Sequence, residues 1–284
     1  MSRFVYVNGR FLRRNAAFID IEDRGFQFGD SVYEVIFVSK GHLVDEYGHI
    51  DRLAFSLGEL GIDLPKSPVT ISLLIRELMR LNGLTDGFVY LQISRGAAPR
   101  DHLIPTDLSQ TFVMNTRAVD LAAKPSFNEG VDVITVRDIR WGRCDIKTTQ
   151  LFANCLAKSE AVRAGAGEAW MIDENNIVTE GSSSNAWIVT DEHVLVTRPP
   201  THEILNGITR RTIIDIASQN EVAFEERAFS LEETKRAKEA FFSSATSLAT
   251  PVLSIDGVTI GNGAVGPITK TLQGQYLQYT QQTS

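Results

Sequence analysis

A chain of 284 residues, 43% hydrophobic and 22% charged, has ordinary globular composition and enough length for one large core or two smaller ones. Its net charge of −7 lacks the basic footprint of a nucleic-acid binder, so no nucleic-acid partner is expected. No run approaches the roughly 20 apolar residues that span a bilayer, the first residues carry no signal-peptide pattern, and Cys144 and Cys155 make no disulfide framework; these features predict a cytoplasmic protein with no membrane partner.

In chain order, FVYVNGRFL is a hairpin signal, apolar alternation around Asn8-Gly9, the pair favoured in type I′ turns. SVYEVIFVSKGHLV repeats it around Lys40-Gly41. From Gly48 to Gly61 the spacing of Ile50, Leu53, Ala54, Leu57 and Leu60 predicts a helix, with Gly61 as its stop. A second helix is expected over about Val69 to Leu81, with Ile71, Leu74, Ile75, Leu78 and Met79 on one face. GFVYLQISRG and QTFVMNTRAV read as two more strands.

The stretch DLAAKPSFNEG, residues 120–130, is small and polar with a proline. It is the expected linker between an N-terminal domain, 1–119, and a C-terminal domain, 131–284. Beyond it come a strand, VDVITVRDI, and a helix ending at Gly165 with Leu151, Phe152, Cys155, Leu156 and Val162 as its apolar face. A meander turning at 173–176 and 191–193 follows, then a helix entered after Gly207, then strands in KEAFFSSATSLATPVLSIDGVTI. The pattern predicts a two-lobed α+β chain.

Three stretches could carry chemistry. Lys147, in RCDIKTTQLFAN, stands at a strand-to-helix junction; the ordinary alternative is a solvated surface charge. A nearby helix N-terminus and desolvation would both disfavour its ammonium form, and an uncharged lysine is a nucleophile able to form a Schiff base. Glu180, in VTEGSSSNAW, is a carboxylate before a turn of small hydroxyl residues; it could pair with a ring nitrogen or simply belong to a polar turn. Gly207, in ILNGITR, precedes Ile208 and Thr209, whose free N–H groups at a helix start form an anion site. Arg52, in HIDRL, could add a bidentate phosphate contact or make a surface ion pair.

The ordered set RGFQFGDSVYEV, HIDRL, DIKTTQLFANCLAK, EGSSSNAW, ILNGITR and SSATS resembles the fold-type IV pyridoxal-phosphate enzymes, almost end to end. That class holds the branched-chain aminotransferases, D-amino-acid transaminases and aminodeoxychorismate lyases. The resemblance implies a small α+β N-terminal domain and a larger C-terminal domain with barrel-like β structure and flanking helices. It implies pyridoxal 5′-phosphate held by Lys147 as an internal aldimine, with Glu180 on the pyridine nitrogen and Leu205 on the ring face. Arg52, Ile208, Thr209 and the turn Ser244, Ala245, Thr246 would hold the phosphate. Where relatives with the D-specific pattern tend to carry SSTT, this chain has Ala245, which leaves a backbone N–H in place of a hydroxyl. No metal is implied.

Within that class, SRGAAPRDHLIP resembles the carboxylate trap of D-amino-acid transaminases, with Arg100 and His102 as donors and Tyr33 completing the set. Ser183 and Ser184 are placed on the substrate side as well. The implied reaction is ping-pong transamination of D-amino acids such as D-alanine with a 2-oxo acid such as 2-oxoglutarate, by a homodimer. The alternatives are an aminodeoxychorismate lyase, an L-branched-chain aminotransferase, or a non-catalytic binding module on the same fold.

Overall fold

The computed structural model describes residues 2–282, which form two compact units. The first comprises residues 2–120 together with 146–150, and the second Leu121–Asp145 and Leu151–Gln282. Among the described residues no helix is long and apolar enough to cross a membrane.

The first unit is built on β1 (Phe4–Val7), β2 (Arg10–Arg13), α1 (Arg24–Phe28), β3 (Ser31–Ser39), β4 (His42–Leu43), α2 (Glu46–Glu59), α3 (Pro68–Asn82), β5 (Gly87–Ser94) and β6 (Thr111–Ala118). The strands form one sheet in the order β2-β1-β6-β5-β3-β4. Both hairpin signals are real: Asn8-Gly9 and Lys40-Gly41 carry φ of 45°, 91°, 50° and 83° and join antiparallel pairs. The core has Ile36, Val38, Val89 and Leu91 from the sheet and Ile50, Leu53, Leu57, Ile71, Ile75 and Leu78 from α2 and α3. The stripe expected on α3 is the buried one, with Leu74 packed at its margin; on α2, Ala54 faces solvent instead. Because strand side chains alternate, one sheet face meets this core while Tyr33, Val35, Tyr90, Asn115 and Arg117 stand on the other.

The second unit holds α4 (Pro125–Glu129), β7 (Val131–Arg137), α5 (Phe152–Arg163), β8 (Glu168–Ile172), β9 (Val178–Gly181), β10 (Asn185–Val189), β11 (Leu195–Thr197), α6 (Ile208–Gln219), β12 (Phe224–Glu226), α7 (Leu231–Arg236), β13 (Glu239–Ser244), β14 (Leu248–Ile255), β15 (Val258–Thr259) and α8 (Pro267–Gln282). Its sheet runs β12-β11-β10-β13-β14-β7-β8-β9, with β15 on β14. Five strand spacings separate β10 from β9 along this path, about 24 Å if flat. Yet residues 182–184 alone join them, and four Cα steps reach at most about 15 Å. The sheet therefore curls back on itself, which is the barrel-like character expected of this half.

Three differences from the sequence reading have physical causes. Residues 121–130 belong to the second unit, where α4 buries Phe127, so the stretch expected to be a linker is largely structured. The apolar face expected on α5 points outward: Phe152 is 78% exposed, Cys155, Leu156 and Val162 are exposed, and the helix packs through Ala157 and Ala161. Small residues let α5 lie close on its sheet, so its large residues are left on the other side. Lys147 is not at the start of α5, which begins five residues later; it lies in an extended segment, beyond the first-turn reach of a helix dipole.

Candidate active site

Segment 146–150 lies in the first unit because β3 offers it an open edge. β4 covers only Val38 and Ser39 of β3, so the other end of that strand is unpaired on this side. There Tyr33 N donates to Lys147 O (3.1 Å), Thr149 N donates to Ser31 O (3.0 Å), and Val32 faces Thr148 in an antiparallel bridge. Ile146 anchors the segment in the core, and Lys147 N donates to Ser56 Oγ of α2 at 3.2 Å. The backbone of Lys147 is thus fixed on both sides. Its Nζ stands 4.3 Å from the centroid of the Tyr33 ring, which itself stacks on Tyr90 at 5.7 Å. Burial pushes the Tyr90 phenol up to about 12, with Tyr33 adding to the shift, so it stays protonated at neutral pH.

Arg52 lies one helical turn before Ser56 on α2, hence on the same side of that helix as the group bonded to Lys147 N. Its Nε and Nη2 donate to both oxygens of Glu34, at 2.7 and 2.8 Å, and His49 Nδ1 is 2.7 Å from Glu34 Oε2. Burial alone would raise the Glu34 carboxyl, but Arg52 and His49 outweigh it and hold it well below the usual carboxylate range. Arg52 is therefore locked in one orientation.

Arg100 and His102 are exposed and gather on Phe28: Arg100 lies 4.6 Å above its ring, Arg24 lies 4.7 Å from it, and the His102 ring is 5.7 Å away. Arg24 also holds the loop by donating to Asp101 O at 2.8 Å. In this chain the Arg100–His102 group clusters on α1, whereas Tyr33 clusters with Lys147 and Tyr90.

In the second unit, Glu180 is the next-to-last residue of β9 and is buried. Arg140 Nη1 donates to its Oε1, while Asn185 Nδ2 and Leu205 N donate to Oε2 at 3.1 and 3.2 Å. Burial raises the Glu180 carboxyl above its ordinary value, with Arg140 and Leu205 N–H only partly opposing; the partners on its oxygens are all donors, the set a carboxylate accepts from. Asn185 also donates to Leu205 O at 2.9 Å. It thereby ties the acid to the turn that opens α6. Gly207 is the N-cap of α6, and no side chain caps the N–H groups of Ile208 and Thr209. A Cβ on Gly207 would come within 2.0 Å of Asn185 Oδ1, so only glycine fits there. At the end of β13, whose Ser243 pairs with Asn185, Ser244 Oγ lies 3.1 Å from Thr246 Oγ1 and 2.8 Å from Ser247 Oγ. Ala245 sits inside this hydroxyl-rich turn.

Of the serines after Gly181, Ser183 is exposed, whereas Ser182 and Ser184 are buried and donate to Glu168. Glu168, Asn185, Arg140, Glu34 and His49 did not stand out in the sequence. The available signal was an acid inside an apolar strand, as in SVYEV and GEAWMI, where only a paired carboxylate is tolerated.

The profile of the family Amino-transferase class IV matches residues 31–255. The D-alanine aminotransferase of Bacillus licheniformis is 44% identical over 269 residues, 95% of this chain and 94% of that protein. The solved branched-chain amino acid aminotransferase of Escherichia coli superposes with a TM-score of 0.92 at 26% identity, covering 100% of this chain and 97% of that one. The T.th. branched-chain amino acid aminotransferase, solved with pyridoxamine 5′-phosphate, gives 0.90 at 25% identity, with coverage of 99% and 94%. A locked lysine, a buried acid fed by N–H donors and an uncapped helix start beside hydroxyls thus occur in a chain that belongs to the class IV aminotransferases.

Proposed function

We propose that this aminotransferase exchanges the amino group of D-amino acids, D-alanine among them, with 2-oxo acids such as 2-oxoglutarate, and that it works as a cytoplasmic homodimer. The observation that carries the site is the buried Glu180 carboxylate joined through Asn185 to the open start of α6. The D-preference is supported by the 44% identity to a D-alanine aminotransferase, set against 26% to the branched-chain enzyme.

The enzyme depends on pyridoxal 5′-phosphate, and the residues fit that group. Glu180 supplies an acceptor for its ring nitrogen. The N–H groups of Ile208 and Thr209, with Ser244, Ala245 N–H and Thr246, supply anion donors, and glycine at 207 leaves room for them to be approached. Leu205 offers an apolar surface, Arg52 a guanidinium pre-set by Glu34, and Lys147 the amine that would hold the aldehyde carbon. When bound, the cofactor accepts the electron pair left at the substrate Cα. Lys147 would take the Cα proton and, as general acid, deliver it to the cofactor's former aldehyde carbon, not back to Cα. Glu180, held by donors on both oxygens, would accept from the ring nitrogen and favour a proton there. Tyr33, Arg100, His102 and Ser183 are assigned to orienting the substrate, with Arg100 and His102 as donors to its carboxylate; Ser184, expected on the substrate side, is buried and donates to Glu168 instead. The test is a chiral panel: D-alanine and L-leucine, each with 2-oxoglutarate, followed by product chirality. Turnover of D-alanine at 10-fold or more above L-leucine is expected, about 1.4 kcal/mol of discrimination; the reverse order would replace this reading with the branched-chain one.

A further inference from the structure

Glu168 is a buried acid with no part in the proton transfers assigned to Lys147 and Glu180. It is the first residue of β8, a strand buried along its whole length, and is itself 2% exposed. β8 pairs with β9 as far as Trp170 opposite Gly181, so the start of β8 runs past the end of its neighbour and faces the turn 181–184. There Ser182 N donates to Ala169 O at 2.9 Å. The Glu168 carboxylate gathers the hydroxyls of the turn. Ser182 Oγ and Ala169 N (2.9 Å) donate to Oε1, and Ser184 Oγ donates to Oε2 at 3.2 Å. Lys158 Nζ, 3.9 Å from Oε1, brings a cation from α5. A carboxylate taken out of water is tolerated when its oxygens are supplied with donors in this way.

The turn that Glu168 holds separates the two residues of the ring-nitrogen site. Glu180 stands just before it and Asn185 just after it, and Asn185 Nδ2 donates to Glu180 Oε2 at 3.1 Å. The backbone of the turn is closed as well: Gly181 N donates to Ser184 O at 2.7 Å, and Asn154 Nδ2 of α5 donates to Ser182 O at 2.9 Å. Room is short, since a Cβ on Gly181 would lie 2.2 Å from Ser184 Oγ and 3.5 Å from the Glu168 carboxyl carbon. Two of the three serine hydroxyls thus meet one carboxylate, while Ser183 is exposed. With both locked, the spacing between Glu180 and Asn185 is set from behind.

We infer that Glu168 is a positioning residue for the cofactor site: by taking the hydroxyls of Ser182 and Ser184 it fixes the turn that aims Glu180, held by Asn185, at the ring nitrogen of pyridoxal 5′-phosphate. This inference rests on the proposed pairing of Glu180 with that nitrogen. Its effect is specific to one contact of the cofactor, because the anion donors at 208–209 and 244–246 and the amine of Lys147 lie outside the turn.

Full-length apoenzyme is titrated, by absorbance, with pyridoxal 5′-phosphate and with its 1-deaza analogue, in which a C–H replaces the ring nitrogen. In Glu168→Ala the ratio of the two affinities is expected to fall about 3- to 10-fold, through weaker binding of the true cofactor, as part of the roughly 10- to 100-fold that a hydrogen bond to a charged group carries. Glu168→Gln, whose amide oxygen still accepts from Ser182, should recover most of the ratio. Ser182→Ala with Ser184→Ala breaks the same contact from the turn side and should give the same fall, so the test stands even where Glu168→Ala does not fold. An equal fall for both compounds would make Glu168 a structural residue only, and an unchanged ratio would uncouple Glu180 from the turn; either result overturns the inference. Glu180→Ala is the control: its ratio should fall further, and adding Glu168→Ala to it should lower the ratio no more. An unchanged ratio in Glu180→Ala would remove the proposed ring-nitrogen pairing and the positioning with it, whereas a ratio reduced in Glu180→Ala but not in Glu168→Ala would sink the positioning alone.

Discussion

The pair Glu34–Arg52 is a buried contact that fixes the guanidinium proposed to meet the cofactor's phosphate. Removing water from both charges is costly, and the bidentate geometry with His49 on the same carboxylate is what offsets it. Glu34→Gln leaves Arg52 buried without a counter-charge, so the variant should lose about 3 kcal/mol of unfolding free energy at pH 7. The sign of the pH dependence follows from the depressed carboxyl. Its contribution is fully present above the ordinary value of 4.5 and is lost as pH falls through the lower folded-state value. Urea denaturation from pH 6 down to 2 should therefore show a constant gap above about pH 5 and wild type and variant converging below it; a gap that stays constant to the acid end would assign the loss to packing instead. Lys147 is the complementary case at the site. Lys147→Ala should abolish transamination, and borohydride reduction of the holoenzyme followed by peptide mapping should tag the wild-type peptide containing residue 147 and leave the variant unlabelled. Lys147 and Glu180 stood out in the sequence because the proposed chemistry demands those residue types. Asn185 and Arg140 were not, since their value lies in which atom they meet, and a lone Asn or Arg in a sequence carries no record of that.

At the level of elements, legibility followed how apolar side chains were sorted. α3 was readable because its stripe of Ile71, Ile75, Leu78 and Met79 is both periodic and buried. α5 was found as a helix but assigned the wrong face, because alanines fill the contact and the large residues lie outside. α8 escaped the reading altogether: its buried positions include Thr269, Gln273 and Thr280 beside Leu272 and Tyr276, and Gln273 donates to Phe127 O and Ala249 O. Polar residues satisfied inside a core erase the periodicity that marks a helix. Two glycines show the same dependence on context. Gly58, on the exposed side of α2, has nothing within 4 Å of a built Cβ, so Gly58→Ala should stabilise the chain by about 0.5–1 kcal/mol. Gly207→Ala drives a methyl into Asn185 Oδ1, displacing the amide that orders both Glu180 and the start of α6. Titration of the apoenzyme with pyridoxal phosphate, read by absorbance, should show affinity reduced by 10-fold or more, about 1.4 kcal/mol. Equal affinity in wild type and Gly207→Ala would separate α6 from the cofactor's phosphate.

Across the whole molecule, the division into units could not be drawn from composition. Residues 146–150 read as the middle of a C-terminal domain, but the unpaired half of β3 recruits them to the first unit, which is a property of sheet edges and is invisible in a linear pattern. What each unit leaves uncovered bears on assembly. In the first, Phe18, Ile21, Phe26 and Leu103 are all more than two-thirds exposed; in the second, Phe152 is joined by Ile139, Trp141, Leu156 and Val162. Isolated apolar residues at a surface need no explanation, but so many large ones on each unit are costly to hydrate unless another chain covers them. A homodimer would remove that cost, and α5 is the element on which to test it, because its contact with its own sheet runs through alanines and survives changes on the outer face. Phe152→Asp with Leu156→Asp places two charges there without touching Ala157 or Ala161. Light scattering behind size exclusion should give a mass near twice 31.4 kDa for the wild-type chain, and a dissociation constant raised by at least about 100-fold in the double variant, or 2.7 kcal/mol. Circular dichroism unchanged alongside a monomer mass would locate the interface on α5; a dimer that persists in the double variant would leave that face to solvent.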